Sequence, residues 1–320
     1  MQGLVIRNTG SHYRVRTDDG AHYDCHVKGN FRLKGIRSTN PVAVGDVVTF
    51  TPPATDDAEA LGWITDISPR RNYIIRRASN LSKQSHILAA NVDQCLLLVT
   101  IDYPPTSTTF IDRFLATAEA YRIPVHIVIG KADLYDPSQR AIADSMATLY
   151  SGLGYPCHIV SLRAKAPAAT PVPWHDAATL LPLLEGRTTL LSGNSGVGKS
   201  TLLNALVPGS MQKTAAISDA HHTGMHTTTY SQMFPLPTGG WLIDTPGVKG
   251  FGTYDMRREE ISHYFPELFA HATQCRYADC THTHEPGCAV LTALHDGRIA
   301  HTRYASYLSM LHDKDEGKYR

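Results

Sequence analysis

The sequence predicts a multidomain chain: an N-terminal all-β barrel, a central α/β P-loop domain and a small helical metal-binding unit at the C-terminus. Three observations carry this. Residues 3–67 break into five short alternating strands. From residue 94 apolar runs alternate with helical periodicity around a Gly-rich loop at 193–200. Three cysteines and two histidines crowd into residues 275–288.

Length and composition agree with that division. The 320 residues have room for two or three domains, and 42% hydrophobic content supports at least one sizeable core. No run approaches the roughly 20 apolar residues of a membrane span. Met1 leads into strand-like sequence without a signal-peptide pattern. A cytoplasmic protein with no membrane partner is expected. The formal charge of +1 decides nothing about nucleic acid, because charge is unevenly spread along the chain. Cys25, Cys95 and Cys157 stand singly and read as reduced core residues, whereas Cys275, Cys280 and Cys288 cluster.

The barrel strands are expected at Gly3 to Arg7, His12 to Thr17, Ala21 to Val27, Gly45 to Thr51 and Gly62 to Ile67, separated by Gly, Asp, Asn and Pro turn signals. The segment Lys28 to Arg37 carries Lys28, Arg32, Lys34 and Arg37 around Phe31. It reads either as an RNA-contacting loop or as a solvated loop with one buried Phe.

In the central domain the buried-strand candidates are Gln94 to Ile101, Pro124 to Gly130, Pro156 to Leu162, Thr188 to Gly193 and Gly240 to Asp244. Between the first two, Phe110, Ile111, Phe114, Leu115, Ala118 and Tyr121 share one helical face. The Pro- and Ala-rich stretch Ala164 to Pro173 breaks the rhythm and reads as an exposed connector. Near the C-terminus, Tyr304, Tyr307, Leu308 and Leu311 fall on one face of a helix.

Gly193-Asn194-Ser195-Gly196-Val197-Gly198-Lys199-Ser200 follows an apolar strand and precedes the helical Thr201 to Leu206. That is the setting of a P-loop. Its glycines let backbone N–H groups curl around phosphate, Lys199 neutralises the β and γ oxygens, and Ser200 ligates magnesium. Asp244 ends a strand and begins Asp244-Thr245-Pro246-Gly247. The carboxylate can hold a magnesium-bound water and the Gly247 N–H can contact a γ-phosphate. Between these motifs lies Gly224-Met225-His226-Thr227-Thr228-Thr229. Thr227 or Thr228 could complete magnesium coordination only while a γ-phosphate is present.

Gly130-Lys131-Ala132-Asp133 ends a predicted strand. A carboxylate at Asp133 can accept both N1–H and N2–H of guanine, which adenine cannot supply. Ser161-Leu162, after the next strand, could aim a backbone N–H at guanine O6. These base motifs precede the phosphate loop by 60 residues, the reverse of the ordinary order, so the domain reads as circularly permuted. The Ala164 to Pro173 connector lies near the expected join.

With this order the chain resembles the circularly permuted GTPases of small ribosomal subunit biogenesis, the RsgA family. The resemblance spans nearly the whole chain. It includes Val44-Gly45-Asp46 in the barrel, the rotated blocks, the Gly-x-His-Thr-Thr-Thr loop and Glu285-Pro286-Gly287-Cys288. It implies an OB-fold barrel for RNA (1–72), a permuted GTPase core (73–249) and a zinc-binding unit (250–320). It also implies action on the maturing small subunit and its rRNA, with GTP and GDP as ligands, and a monomer is expected. One position departs from the pattern. The base motif normally begins with Asn where this chain has Gly130, which should remove a hydrogen bond worth about 0.5–1.5 kcal/mol.

Cys275, Cys280, His282 and Cys288 have the spacing Cys-x4-Cys-x-His-x5-Cys, suited to a closed, structural tetrahedral zinc site. His284 could substitute for His282, and the family pattern favours His282. Loss of one thiolate is expected to unfold this unit and spare the GTPase core. Arg276, Arg298 and Arg303 nearby make an RNA-facing surface plausible without proving it. Val248, after the Asp-x-x-Gly motif, cannot orient water, so His226 is the candidate to do so. Two other functions compete with this reading: a nucleotide-gated binding module with negligible turnover, and a metabolic P-loop ATPase. The second lacks a further acid/base constellation.

Overall fold

The computed structural model describes residues 1–27, 41–53, 60–77, 85–162, 175–207, 209–210, 231–244 and 256–315. The basic Lys28 to Arg37 segment, the Ala164 to Pro173 connector, Gly224 to Thr229 and Thr245 to Val248 lie outside the described residues.

The first five strands are β1 (Gln2–Asn8), β2 (Tyr13–Arg16), β3 (His22–Val27), β4 (Val47–Thr51) and β5 (Gly62–Ile67). They pair in the order β1-β2-β3-β5-β4, and β4 pairs back to β1, which closes the barrel. The β3–β5 pair is parallel and the others antiparallel, the connectivity of an OB-like Greek-key barrel. Alternation along each strand sends Val5, Tyr13, Val15, Cys25, Val48, Phe50 and Ile64 into one core. Burial pushes the Cys25 thiol up to about 12 and the Cys157 thiol up to about 11, so both are inert at neutral pH.

Val44-Gly45-Asp46 forms the joint between the barrel and the hairpin after it. Gly45 is left-handed (φ +89), and a Cβ there would collide with the Ala90 carbonyl. The buried carboxylate of Asp46 accepts from Arg70 Nε (2.7 Å) and Nη2 (2.6 Å) and from the Ala43 N–H (2.8 Å). The antiparallel hairpin consists of β6 (Tyr73–Arg77) and β7 (Ser85–Ala90), bridged to the barrel at Val44 and Ala89. Sequence pattern does not mark this hairpin, because its strands are rich in Arg, Ser and His and do not alternate cleanly.

The central sheet comprises β8 (Gln94–Val99), β9 (Val125–Ile129), β10 (Cys157–Ser161), β11 (His175–Asp176), β12 (Thr188–Ser192), β13 (Ser231–Pro235) and β14 (Trp241–Asp244), in the order β11-β10-β9-β8-β12-β14-β13. All pairs are parallel except β13–β14. Helices α1 (Thr108–Ala120) and α2 (Pro137–Gly152) cover one face. The short α3 (Leu181–Leu184) and α4 (Lys199–Leu206) cover the other. Ser107 caps α1 by accepting from the Phe110 N–H, and Asp136 with Gln139 forms a capping box on α2. Strand β13 also pairs with β1 (Arg7↔Gln232, Asn8↔Ser231), so barrel and central sheet are one hydrogen-bonded surface.

The C-terminal unit holds α5 (Pro266–Ala272), α6 (Ala289–His295) and α7 (His301–Asp315). The expected face of α7 is present, with Tyr307, Met310 and Leu311 buried. The core of this unit includes Ala116 of α1, so its helices pack on the central domain.

The expectation for Arg303 is corrected. Its side chain is 1% exposed and forms ion pairs with Asp112 of α1 (2.7 Å) and Glu267 of α5 (2.6 Å), with the Phe265 ring 4.6 Å away. Burial opposes its charge, but the Glu267 hydrogen bonds and the Asp112 carboxylate hold its pKa above the ordinary value. It locks helices together and cannot meet RNA. Among the described residues, no helix is long and apolar enough to cross a membrane.

Candidate functional site

The carboxyl ends of β9, β10, β12 and β14 form a crevice that gathers the motifs dispersed along the sequence. Such a crevice is the usual ligand site of a parallel sheet. The loop from Gly193 to Gly198 turns between β12 and α4. Gly193 (φ +143) passes so close to β8 that a Cβ would collide with the Leu98 carbonyl oxygen, and Gly198 (φ +105) is the left-handed residue just before α4. Val197 is buried and anchors the loop, while Ser200 and Thr201 stand half-buried in the first helical turn. Lys199 Nζ donates to the carbonyls of Gly193 (2.8 Å) and Asn194 (2.7 Å). Burial lowers its pKa, and the carboxylate of Asp244 opposes that shift. Asp244 itself is buried at the end of β14, in register with Leu191 of β12. The cradle therefore has inward-curled backbone, a cation and a neighbouring carboxylate, a donor set that fits a magnesium-bound polyphosphate.

The base motif meets this cradle directly. Lys131 is left-handed (φ +61), and its ammonium donates to the Gly196 carbonyl (2.9 Å) and to the Tyr103 carbonyl. Asp133 Oδ1 accepts from the buried Ser161 Oγ (2.8 Å), which orients the carboxylate. Leu162 lies beside Gly198, 3.4 Å from where a Cβ would stand. Residues 130–133, 161–162 and 193–201 thus share one crevice. His226, Thr227, Thr228 and Gly247 lie outside the described residues.

At Gly130 the backbone is not left-handed, and an added Cβ would stand 3.2 Å from Leu98 Cδ1 and 3.7 Å from the Val197 carbonyl oxygen. An Asn side chain would begin beside the phosphate loop, and here that link is missing. Other groups hold the base loop. The Tyr135 hydroxyl donates to the Gly130 carbonyl and accepts from the Ile101 N–H (2.9 Å), while Lys131 reaches Gly196. Sequence reasoning does not single out Tyr103 or Tyr135. Nothing in local pattern marks a carbonyl or a phenol as a loop tie.

The second site is the cysteine cluster. The ligand atoms of Cys275, Cys280, His282 and Cys288 all lie within 4.8 Å of one another. His282 Nδ1 is 3.6 Å from Cys275 Sγ and 3.5 Å from Cys288 Sγ, and the latter two sulfurs are 3.9 Å apart. His282 reaches inward from a left-handed backbone (φ +56), and its carbonyl accepts from the Tyr304 hydroxyl (2.7 Å). Glu285 braces the loop by accepting from the N–H groups of Thr281 (2.7 Å), Thr283 (2.9 Å) and His284 (3.1 Å). Burial works to raise the Glu285 pKa. The bonds from Thr281 outweigh it and hold the carboxyl well below the usual range. His284 Nδ1 lies 2.8 Å from the Thr283 hydroxyl instead, and His282 is the histidine that joins the three cysteines. Three soft thiolates and one imidazole in so small a space can hold a metal ion, and the donor set suits zinc.

Comparison with known proteins agrees with this architecture. The RsgA GTPase profile matches residues 67–254 and the RsgA N-terminal domain profile residues 2–64. The chain is 59% identical over 320 residues to the small ribosomal subunit biogenesis GTPase RsgA of Bacteroides fragilis, covering 100% of this chain and 99% of that one. The protein of the same description from Phocaeicola vulgatus is 58% identical with the same coverage. Among solved structures, YjeQ from Thermotoga maritima superposes with a TM-score of 0.71 at 32% identity, over 98% of this chain and 97% of that one. YloQ, described as a circularly permuted GTPase, gives a TM-score of 0.70 at 26% identity, over 100% and 96% of the two chains. With its closed barrel, rotated P-loop domain and Cys/His helical unit, this chain belongs to the RsgA family of circularly permuted GTPases, enzymes that hydrolyse GTP.

Proposed function

We propose that this chain acts as a late assembly and release switch on the maturing small ribosomal subunit, in the cytoplasm and as a monomer. The observation that carries the reading is the convergence of Lys199, its glycine loop, Asp133 and Ser161 in one crevice. That crevice belongs to a chain similar over its whole length to proteins named for small-subunit biogenesis. In this reading the N–H groups of Gly193, Asn194, Ser195, Gly196, Val197, Gly198 and Thr201 line the phosphates, and Lys199 turns from its own loop carbonyls to the β and γ oxygens. Ser200 and Thr228, or its neighbour Thr227, hold magnesium, with Asp244 acting through water. Magnesium supplies charge neutralisation at the transferred phosphoryl group. The Gly247 N–H contacts the γ-phosphate. Cys275, Cys280, His282 and Cys288 hold one structural zinc.

On the base side, Asp133 accepts from guanine N1–H and N2–H, and the Leu162 N–H donates to O6. Lys131 and the Gly130 backbone frame the ring. Asp133→Asn is expected to cut the preference for GTP over ATP by about 10- to 100-fold, the worth of a charge-assisted hydrogen-bond pair. Competition binding with both nucleotides reads this directly, and an unchanged preference would move the base site elsewhere.

Val248 cannot position a water nucleophile, so His226 takes that role when the small subunit supplies the contact that sets it. Small subunits should raise turnover roughly 10²-fold or more and large subunits little. His226→Ala should lose most of the stimulation while keeping GTP and subunit binding. Steady-state phosphate release, with and without purified subunits, tests both parts. Equal rates would end the activation reading, and full stimulation of the variant would remove only His226 from it.

A further inference from the structure

The outer face of the barrel carries a row of rings. In the β2–β3 register Tyr13 faces Cys25, which puts His12, the residue just before β2, opposite His26, and the β3–β5 register puts His26 opposite Trp63. The His12 and His26 ring centroids are 4.3 Å apart at 68°, and those of His26 and Trp63 are 6.1 Å apart at 44°. Trp63 is 48% exposed. An indole so placed exposes apolar area with no structural return, because the core partners of β5 point the other way: Ile64 and Ile67 face inward.

The surroundings select the kind of partner. Within the bounds of β2, β3 and β5 the outward side chains are Arg14, Arg16, His22, Asp24, His26, Trp63, Thr65 and Asp66, and Trp63 is the only apolar one. Leu61, 37% exposed and two residues before Trp63, adds one aliphatic side chain, less than the aliphatic surround expected around the aromatic anchor of a protein-binding face. The face instead offers flat π surfaces, imidazole edges and the Arg14 guanidinium, itself paired with Asp24 at 2.8 Å. In the sequence, Val27 is followed by residues 28–40, which contain Lys28, Arg32, Lys34 and Arg37 and no acidic residue. Stacking surfaces with a guanidinium among them match a single-stranded polyanion with unpaired bases. The β2–β3 face is also where OB barrels commonly hold oligonucleotides.

We propose that His12, His26 and Trp63 form a stacking platform for an unpaired base of single-stranded RNA, with Trp63 as its main surface. This rests on the reading that the chain works on the small subunit and its rRNA. Full-length protein should bind short fluorescent oligouridine and oligoadenosine in anisotropy titrations. Trp63→Ala should weaken binding about tenfold, Trp63→Phe should retain most of the affinity, and His26→Ala should fall between them. The salt dependence should be unchanged in Trp63→Ala, because stacking releases no counterions. Since Trp63 is outside the core, circular dichroism of each variant should match the parent. Equal affinity of Trp63→Ala and the parent, equally tight binding of duplex RNA, or no oligomer binding by the parent would each overturn the platform. So would a change from dimer to monomer in Trp63→Ala by sedimentation equilibrium, which would make the occupant a second copy. Cosedimentation of the parent with small subunits separates the two ideas. If it binds subunits while Trp63→Ala leaves oligomer affinity unchanged, the platform falls and the partner reading stands; if it binds no subunits, the partner reading itself falls.

Discussion

Lys199→Ala is expected to reduce GTP hydrolysis by at least about 10²–10³-fold, the scale seen when one preorganised charge-stabilising donor is removed. The reason lies in where the ammonium is held. Its donors already point at the mouth of the loop, through bonds to the Gly193 and Asn194 carbonyls, and burial has stripped away part of its hydration. Exchanging those carbonyls for phosphate oxygens costs little reorganisation and places full positive charge where negative charge develops. Alanine leaves the N–H groups of the loop in place but no cation. Triphosphate affinity should therefore fall more than diphosphate affinity, and selectivity for guanine should persist because Asp133 and Ser161 are untouched. Single-turnover hydrolysis, with GTP and GDP titrations, checks each part. Turnover at the parent rate would show that this loop is not the phosphate site.

Arg303→Ala is expected to cost about 3–5 kcal/mol of stability, the usual penalty for orphaning buried charge. Truncation would leave Asp112 and Glu267 without their shared guanidinium in a site that is 0% and 7% exposed at those side chains. Tyr150, whose hydroxyl donates to Asp112 at 2.7 Å, would remain as a neutral donor in place of a cation. Because Asp112 sits on α1 and Arg303 on α7, the loss should act on both the C-terminal unit and the central domain. This modifies the expectation that losing a metal thiolate leaves the GTPase core untouched. Freed of the C-terminal helices, α1 would expose the face around Ala116 that they cover. Arg113 provides the contrast. It pairs with Asp313 and donates to Ser309 (2.9 Å) across the same interface, but both charged side chains keep partial contact with water. Arg113→Ala should cost about 1 kcal/mol or less. Urea denaturation of the two variants would show the difference, and similar midpoints would mean that the Arg303 network adds no more than a surface pair.

The amino-acid sequence by itself determined the features that local pattern can encode. Alternation marked the five barrel strands, and apolar runs marked the parallel strands β8, β9, β10, β12 and β14, though not the two-residue β11. The glycine spacing around Lys199 marked the loop between β12 and α4, and Cys275 to Cys288 marked the Cys/His cluster, since all four residues fall in one short segment. Tertiary structure decided whatever depends on partners far away in the chain. Arg303 reads as a surface charge in a polar helix, and only the arrival of Asp112, 191 residues earlier, makes it a buried clasp. Gly45 reads as the start of a strand, and only the approach of Ala90 makes a glycine obligatory there. Strand β13 is short and only partly apolar, and it becomes a strand by bridging β14 to β1. The row from His12 to Trp63 exists only in the register of three strands, because a shift of one residue would turn each ring to the opposite face. Local pattern records what a residue prefers; burial and partnership are set by which other segments fold against it.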